Sequence, residues 1–238
     1  MTQLASFGDC EILYDARRSD AAESAITPVV PDLSATGVNY LSNVIGSATG
    51  FGCKAGAIGG YPAYRVVDGQ TGSGSLGRGT AYVAGRLTRA IQGIPVTVVC
   101  VCQFNAITAN VVFDWENEGV RLLLNAGGDG TQLSFSSGAG SILSTTGRLA
   151  AATPALIVAV ANGASSILRI NGLQDTGTLD AVDMRTIRVG SAFGSGANFN
   201  GLLGTLAFFR GAFPAARIAE VERFVNRDWN LKIAAIGT

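Results

Sequence analysis

Residues 111–120 read V-V-F-D-W-E-N-E-G-V, and three carboxylates, Asp114, Glu116 and Glu118, alternate within that run. On a β-strand, alternate residues share a face and lie ~6–7 Å apart along it. Retaining glycosidases work with two carboxyl groups about 5 Å apart, so the spacing could in principle serve cleavage of a glycosidic bond. The surrounding residues argue otherwise. Asn117-Glu118-Gly119 reads as a turn, Val111, Phe113 and Trp115 alternate toward the opposite side, and Val120, Leu122 and Leu124 resume the apolar pattern after it. The expected structure is a β-hairpin whose apolar face enters the core, with Trp115 inside and the carboxylates on the wet face and at the tip. Asp114, Glu116, Asn117 and Glu118 are then candidates for polar contact with a glycan or a protein partner, not for catalysis.

Few other residues offer chemistry. The chain has no histidine, which removes Ser-His-Asp and Cys-His catalysis along with the commonest metal ligand. Its four cysteines, Cys10, Cys53, Cys100 and Cys102, show no C-x-x-C spacing, so neither a zinc site nor any other cofactor is expected. Cys100 and Cys102 belong on one strand face with Val96, Val98 and Phe104. Their side chains point the same way, which disfavours a mutual disulfide and makes both of them small core residues. A Cys10–Cys53 bridge, or bridges between chains, are left open by the spacing. G-S-G-S-L-G-R-G, within the glycine- and serine-rich stretch 70–79, resembles a phosphate cradle only superficially. It lacks the Lys-Ser/Thr ending and a βαβ context, so a flexible loop is expected.

These residues need a scaffold, and composition sets its class. Of 238 residues, 47% are hydrophobic, 14% charged and 32 are glycine. That balance suits many short strands joined by tight turns, with apolar surface kept for partners. Seventeen basic and 17 acidic residues cancel, and no run of like charge gives the basic footprint of a nucleic-acid binder. No apolar run approaches the roughly 20 residues of a membrane-spanning helix. The N-terminal M-T-Q-L lacks the layout of a signal peptide, so synthesis in a cytoplasm is expected.

Strands are expected at 11–15, near 40, and at 64–68, 96–104, 111–115, 120–124, 132–135, 187–189 and 203–209. Segments 157–160 and 167–170 read as a hairpin around Asn162-Gly163. Residues 82–91 carry Val83, Leu87 and Ile91 at helical spacing and predict a short helix. Residues 16–60 read as loop-rich or arm-like. Past Pro214, which suits a helix start, Ile218, Val221, Phe224 or Val225, and Trp229 form a helical stripe over 214–231. Trp229 is expected to dock that helix onto a sheet. A polar turn about every ten residues is the pattern of a sandwich or jelly roll, here a single domain spanning 1–238.

Several stretches, in order, resemble one family. Asp68-Gly69 follows a strand, Pro95 leads into a long apolar strand, and Ile170-Asn171-Gly172 ends another. Val189-Gly190 precedes F-N-G-L-L-G-T-L at 199–206, and the last helix closes on R-D-W-N-L. Over roughly residues 60–231 the chain is similar to the laminin-G/concanavalin A-like lectin superfamily, in the form found in bacteriophage particles and bacterial surface proteins. The resemblance implies an all-β fold, a concanavalin A-like jelly-roll sandwich of two antiparallel sheets with a C-terminal α-helix. Thr205 stands where many members have an acidic residue, and no Asp/Asn cluster for lectin calcium is carried over. The function it implies is a non-enzymatic structural or adhesion component of a bacteriophage virion, either capsid decoration or tail, homo-oligomeric and packed against other virion proteins. A carbohydrate-binding module attaching to a bacterial surface is the alternative, and a glycoside hydrolase acting through Asp114, Glu116 and Glu118 the remote one.

Overall fold

The computed structural model describes residues 4–18, 29–30, 33–34, 41–43, 51–66, 83–106, 110–115, 120–124, 132–137, 140–180, 182–190 and 199–236. In chain order its strands are β1 (Asp9–Asp15), β2 (Val29–Val30), β3 (Leu41–Asn43), β4 (Phe51–Ile58), β5 (Tyr61–Val66) and β6 (Val83–Ile94). They continue as β7 (Val96–Phe104), β8 (Asn110–Trp115), β9 (Val120–Leu124), β10 (Leu133–Ser137) and β11 (Gly140–Leu143). The last five are β12 (Pro154–Ala161), β13 (Ser166–Ile170), β14 (Leu173–Gly177), β15 (Val182–Val189) and β16 (Gly201–Arg210), followed by helix α1 (Ala215–Asp228).

The strands form two antiparallel sheets. One runs β14-β13-β12-β7-β16-β5-β4, and the other runs β11-β10-β9-β8-β15-β6-β3-β2. Strand β16 is long enough to pair with β5 at its start and with β1 from Thr205 to Arg210, along the same side. This is the jelly-roll sandwich with a C-terminal helix that the sequence implies.

Three layers explain the most apolar strands. Along β7, Val96, Val98, Cys100, Cys102 and Phe104 enter the core between the sheets, while Val99 and Val101 enter a second core under α1. Strand β12 divides the same way, with Ala155, Ile157 and Ala159 facing one core and Leu156, Val158 and Val160 the other. A strand buried on both faces has no wet side, so it reads as a nearly continuous apolar run. Burial pushes the Cys100 thiol well above its usual range, and the neighbouring Cys102 thiol adds to the shift. Both are free thiols of the core, as the spacing predicts.

Helix α1 begins after Pro214, the residue at its N-terminal cap position. Ile218, Val221, Phe224 and Val225 face the sheet, and Trp229 at the C-terminal cap is buried with them. The predicted stripe and the docking role of Trp229 are both observed. On the same side, the ring of Phe7, from a short 3₁₀ turn (Leu4–Phe7), lies 5.1 Å from that of Phe224.

Four expectations need correction or adjustment. Residues 82–91 form strand β6, not a helix. Val83, Leu87 and Ile91 recur every four residues, and every multiple of four is also even, so one spacing satisfies both periods. Pairing with β15 along its length decides for the strand. Residues 16–60 are not simply an arm, because β4 pairs with β5 and β3 with β6. The strand expected at 64–68 is observed as Tyr61–Val66, and Asp68 lies outside the described residues, as does the glycine-rich stretch 70–79. Finally, Val111 does not share a face with Phe113. A bulge between them sets Val111 opposite Leu123 and Phe113 opposite Leu122, and one extra residue reverses the facing of everything before it.

Candidate functional site

The acidic hairpin is half visible. Strands β8 and β9 pair antiparallel as expected, while Glu116, Asn117 and Glu118 lie outside the described residues, together with the side chain of Trp115. Asp114 is not on a wet face. It is 1% exposed and it is partnered. It is the penultimate residue of β8, with Arg188 of β15 opposite it in register, and the neighbouring Val111 and Ser134 are buried too. This part of the sheet is therefore covered on both sides, whereas alternation alone assigns one side to water. Other carboxylates are held by arginines: Glu11 by Arg210, Asp175 by Arg148, and Glu222 by Arg169. Among the described residues, no group of three or more Cys, Asp and Glu residues could hold a metal ion.

A different cluster gathers where β1, the turn before β5 and the end of α1 meet. Strand β1 leads into a 3₁₀ turn (Ala16–Arg18) that swings Arg17 back over the strand end. The Nε of Arg17 donates to Asp15 Oδ1 at 3.0 Å and Nη2 to Asp15 Oδ2 at 2.6 Å, a two-pronged pair. Its Nη1 donates to the Asp228 backbone oxygen at 3.0 Å and to Asp228 Oδ2 at 2.5 Å, reaching 211 positions along the chain. Burial opposes the charge on Arg17, but the hydrogen bonds and charges of Asp15 and then Asp228 outweigh it and raise its pKa above the ordinary range. The guanidinium carbon also sits 4.4 Å from the Trp229 ring centre and 5.8 Å from that of Tyr61.

Tyr61 is placed by the turn before it. Gly59 and Gly60 have φ of +57° and +89°, conformations that glycine adopts without steric cost. A Cβ on Gly59 would lie 1.8 Å from the backbone oxygen of Trp229, so the turn closes directly onto the end of α1. Asn230 Nδ2 donates to the Gly59 oxygen at 3.4 Å. The Tyr61 ring meets Trp229 edge-on at 6.0 Å, and Trp229 lies against the Cα of Gly204, where a Cβ would come within 2.8 Å of its ring. With Arg17 behind it, Tyr61 keeps 39% of its surface exposed, and it is the exposed aromatic among the described residues.

The corner thus offers a half-exposed aromatic ring beside planar polar groups. Among the described residues the Tyr61 hydroxyl, Asp228 Oδ1 and Asn230 Oδ1 have no protein partner. Such a surface can receive a flat ligand with an apolar face and a hydrogen-bonding rim. Sequence reading missed it. The signal present was G-G-Y-P at 59–62, an aromatic directly after a two-glycine turn, but nothing in it points to Arg17 or Asp228.

Comparison with known proteins supports the fold. No protein-family profile matches the chain, and no curated protein sequence matches it. Among solved structures, the chain is similar to the binding domain of botulinum neurotoxin serotype D, with 12% identity and a TM-score of 0.61 over 93% of this chain and 52% of that one. It is also similar to Trypanosoma rangeli sialidase in complex with sialic acid, with 12% identity and a TM-score of 0.52 over 87% of this chain and 32% of that one. The chain therefore spans about half the toxin binding domain and about a third of the sialidase. At this identity the likeness is one of fold alone, a β-sandwich.

Proposed function

We propose that this chain is a carbohydrate-binding β-sandwich module that acts by binding rather than by cleavage. The observation that carries it is the Tyr61 corner. A pyranose ring presents an apolar C–H face and a rim of hydroxyls, and the corner presents an aromatic face beside a carboxylate and an amide with unused acceptors. Of the named neighbours, one is a toxin's binding domain and the other a sialidase in complex with sialic acid, so they support a sugar-related reading without deciding between binding and cleavage. A structure's share of a fold does not choose its ligand, so the corner bears the argument.

Printed oligosaccharides, followed by calorimetric titration of the best binder, test this reading. Tyr61→Ala should weaken binding at least roughly tenfold, as loss of an aromatic anchor does in other interfaces. Tyr61→Phe should keep most of the affinity, because the stacking face survives. Undiminished binding by Tyr61→Ala would remove the corner from the function.

The reading as a structural or adhesion component of a bacteriophage particle is favoured by one separate observation. Strands β11 and β14, the edges of the two sheets, meet on one side of the sandwich, and there Leu143 and Leu173 are 44% and 50% exposed. A homo-oligomer or virion neighbour using that side would cover both. In sedimentation, an oligomer that dissociates in Leu143→Asp/Leu173→Asp supports this reading, and a monomeric native chain counts against it.

A further inference from the structure

The charges around the corner narrow the ligand class further, an inference that rests on the carbohydrate reading. At the corner two carboxylates, Asp15 and Asp228, face one guanidinium, Arg17. Among the described residues of this ion-pair cluster the balance is one negative charge, so a ring seated on Tyr61 is best left uncharged. The adjoining face of α1 has the opposite sign. Of the three carboxylates on the helix, Glu222 turns inward to Arg169 and Asp228 turns to Arg17. Glu220 is paired with Arg217 at 3.7 Å. That leaves Arg223 and Arg227, one turn apart and both exposed, with no ion pair among the described residues. Arg227 directly precedes Asp228. The chain beyond the helix also folds back here, because Asn226 and Ile233 exchange hydrogen bonds of 3.2 and 3.0 Å. That fold brings the exposed Lys232 to the same last turn of the helix.

In a chain of zero formal net charge, this is a sorted surface. A neutral or negative aromatic corner adjoins a positive strip on the outer side of one helix. We propose that the ligand is a segment of acidic polysaccharide, with an uncharged sugar stacked on Tyr61 and carboxylate, phosphate or sulfate groups of neighbouring sugars met by Arg223 and Arg227. Arginine suits the second task, since its planar fork matches such oxyanions in a bidentate way. A monosaccharide spans only the corner, so the preference for charge belongs to longer ligands.

The test compares retention of the full chain on immobilised polygalacturonate, dextran sulfate and unmodified dextran. The charged polymers should hold it more tightly than dextran by about fivefold or more, an effect of two exposed charges that fades with added salt. Arg223→Gln/Arg227→Gln changes only exposed positions and should erase that preference while leaving residual binding to dextran. Tyr61→Ala should weaken retention on all three polymers together. Equal retention on charged and neutral polymers, or a preference that survives in the double glutamine variant, overturns the acidic class and leaves the carbohydrate reading standing. Competition by duplex DNA as strong as that by polygalacturonate also overturns it, since the strip would then be a general anion surface. Retention on none of the polymers overturns the acidic class, and the oligosaccharide titration with Tyr61→Ala then decides the carbohydrate reading separately.

Discussion

Replacing Trp229 with alanine is expected to destabilise the protein by about 3–5 kcal/mol, the range for truncating a fully buried tryptophan. Its ring is 1% exposed and touches four separate pieces of chain. It lies on Gly204 of β16, meets Tyr61 of β5, carries Arg17 from the segment after β1, and closes α1. The register shift between Leu203 and Thr205 leaves Gly204 out of the ladder with β7, and the missing side chain there is the seat of the ring. Losing the ring empties that seat and removes the stacking surface of Arg17, worth about 0.5–1 kcal/mol at a site still near water. Urea unfolding should show a lower midpoint with an unchanged slope, and thermal unfolding should fall by on the order of 10 °C. Trp115, the other of the two tryptophans, remains as the fluorescent reporter. A loss below about 1 kcal/mol would show that α1 is held by its aliphatic stripe alone.

Arg169→Ala should cost nearly as much for a different reason. Glu222 is 3% exposed, and both of its carboxylate oxygens accept from Arg169, Oε1 from Nε and Oε2 from Nη2, each at 2.9 Å. The same guanidinium donates to the Gly172 oxygen at 2.9 Å and to Gln174 Oε1 at 3.1 Å, which ties the β13–β14 turn to the helix. Removing the arginine leaves a buried carboxylate with no partner among the described residues, a change that costs about 3–5 kcal/mol in comparable buried pairs. Water entering where Arg169 stood favours the lower end of that range. The double variant Arg169→Met/Glu222→Leu should return to within about 1 kcal/mol of the native chain, because an apolar pair of similar volume needs no compensation. The thermodynamic cycle then gives a coupling of about 2 kcal/mol or more. A double variant as unstable as Arg169→Ala would refute the unpaired-charge account and assign the loss to the turn contacts instead.

How much of the fold is legible in the sequence depends on where each strand finds its partners. Strands β7, β12 and β16 stand out as long, nearly continuous apolar runs, and helix α1 by its periodic apolar stripe. The strands missed or shortened are of another kind. Residues L-Q-D-T-G of β14, G-S-I-L of β11 and F-G-C-K-A-G-A-I of β4 are edge strands rich in polar residues and glycine. Little in their side chains demands a strand. Their backbone hydrogen bonds to β13, β10 and β5 make them strands, and a local window cannot contain that information.

The acidic hairpin shows the same limit from the other side. Alternation correctly gave a hairpin at β8–β9, because the facing of side chains is a local property of an extended backbone. It could not give the burial of Asp114, because what covers the second face of a sheet is decided by segments distant in sequence.

By itself, then, the sequence determined the class of fold, the central strands, the helix and its buried tryptophan, the core role of Cys100 and Cys102, and the absence of histidine chemistry. All of these follow from residue type and short-range periodicity. Only the tertiary structure decided which core each strand face enters, that 83–94 is a strand, and that Arg17, Tyr61 and Asp228 stand together. Those outcomes depend on pairing and closure between segments as far apart as the 211 positions that separate Arg17 from Asp228. No period in the sequence spans such a distance; the contact exists because β1, β5 and the end of α1 must all close around one buried ring.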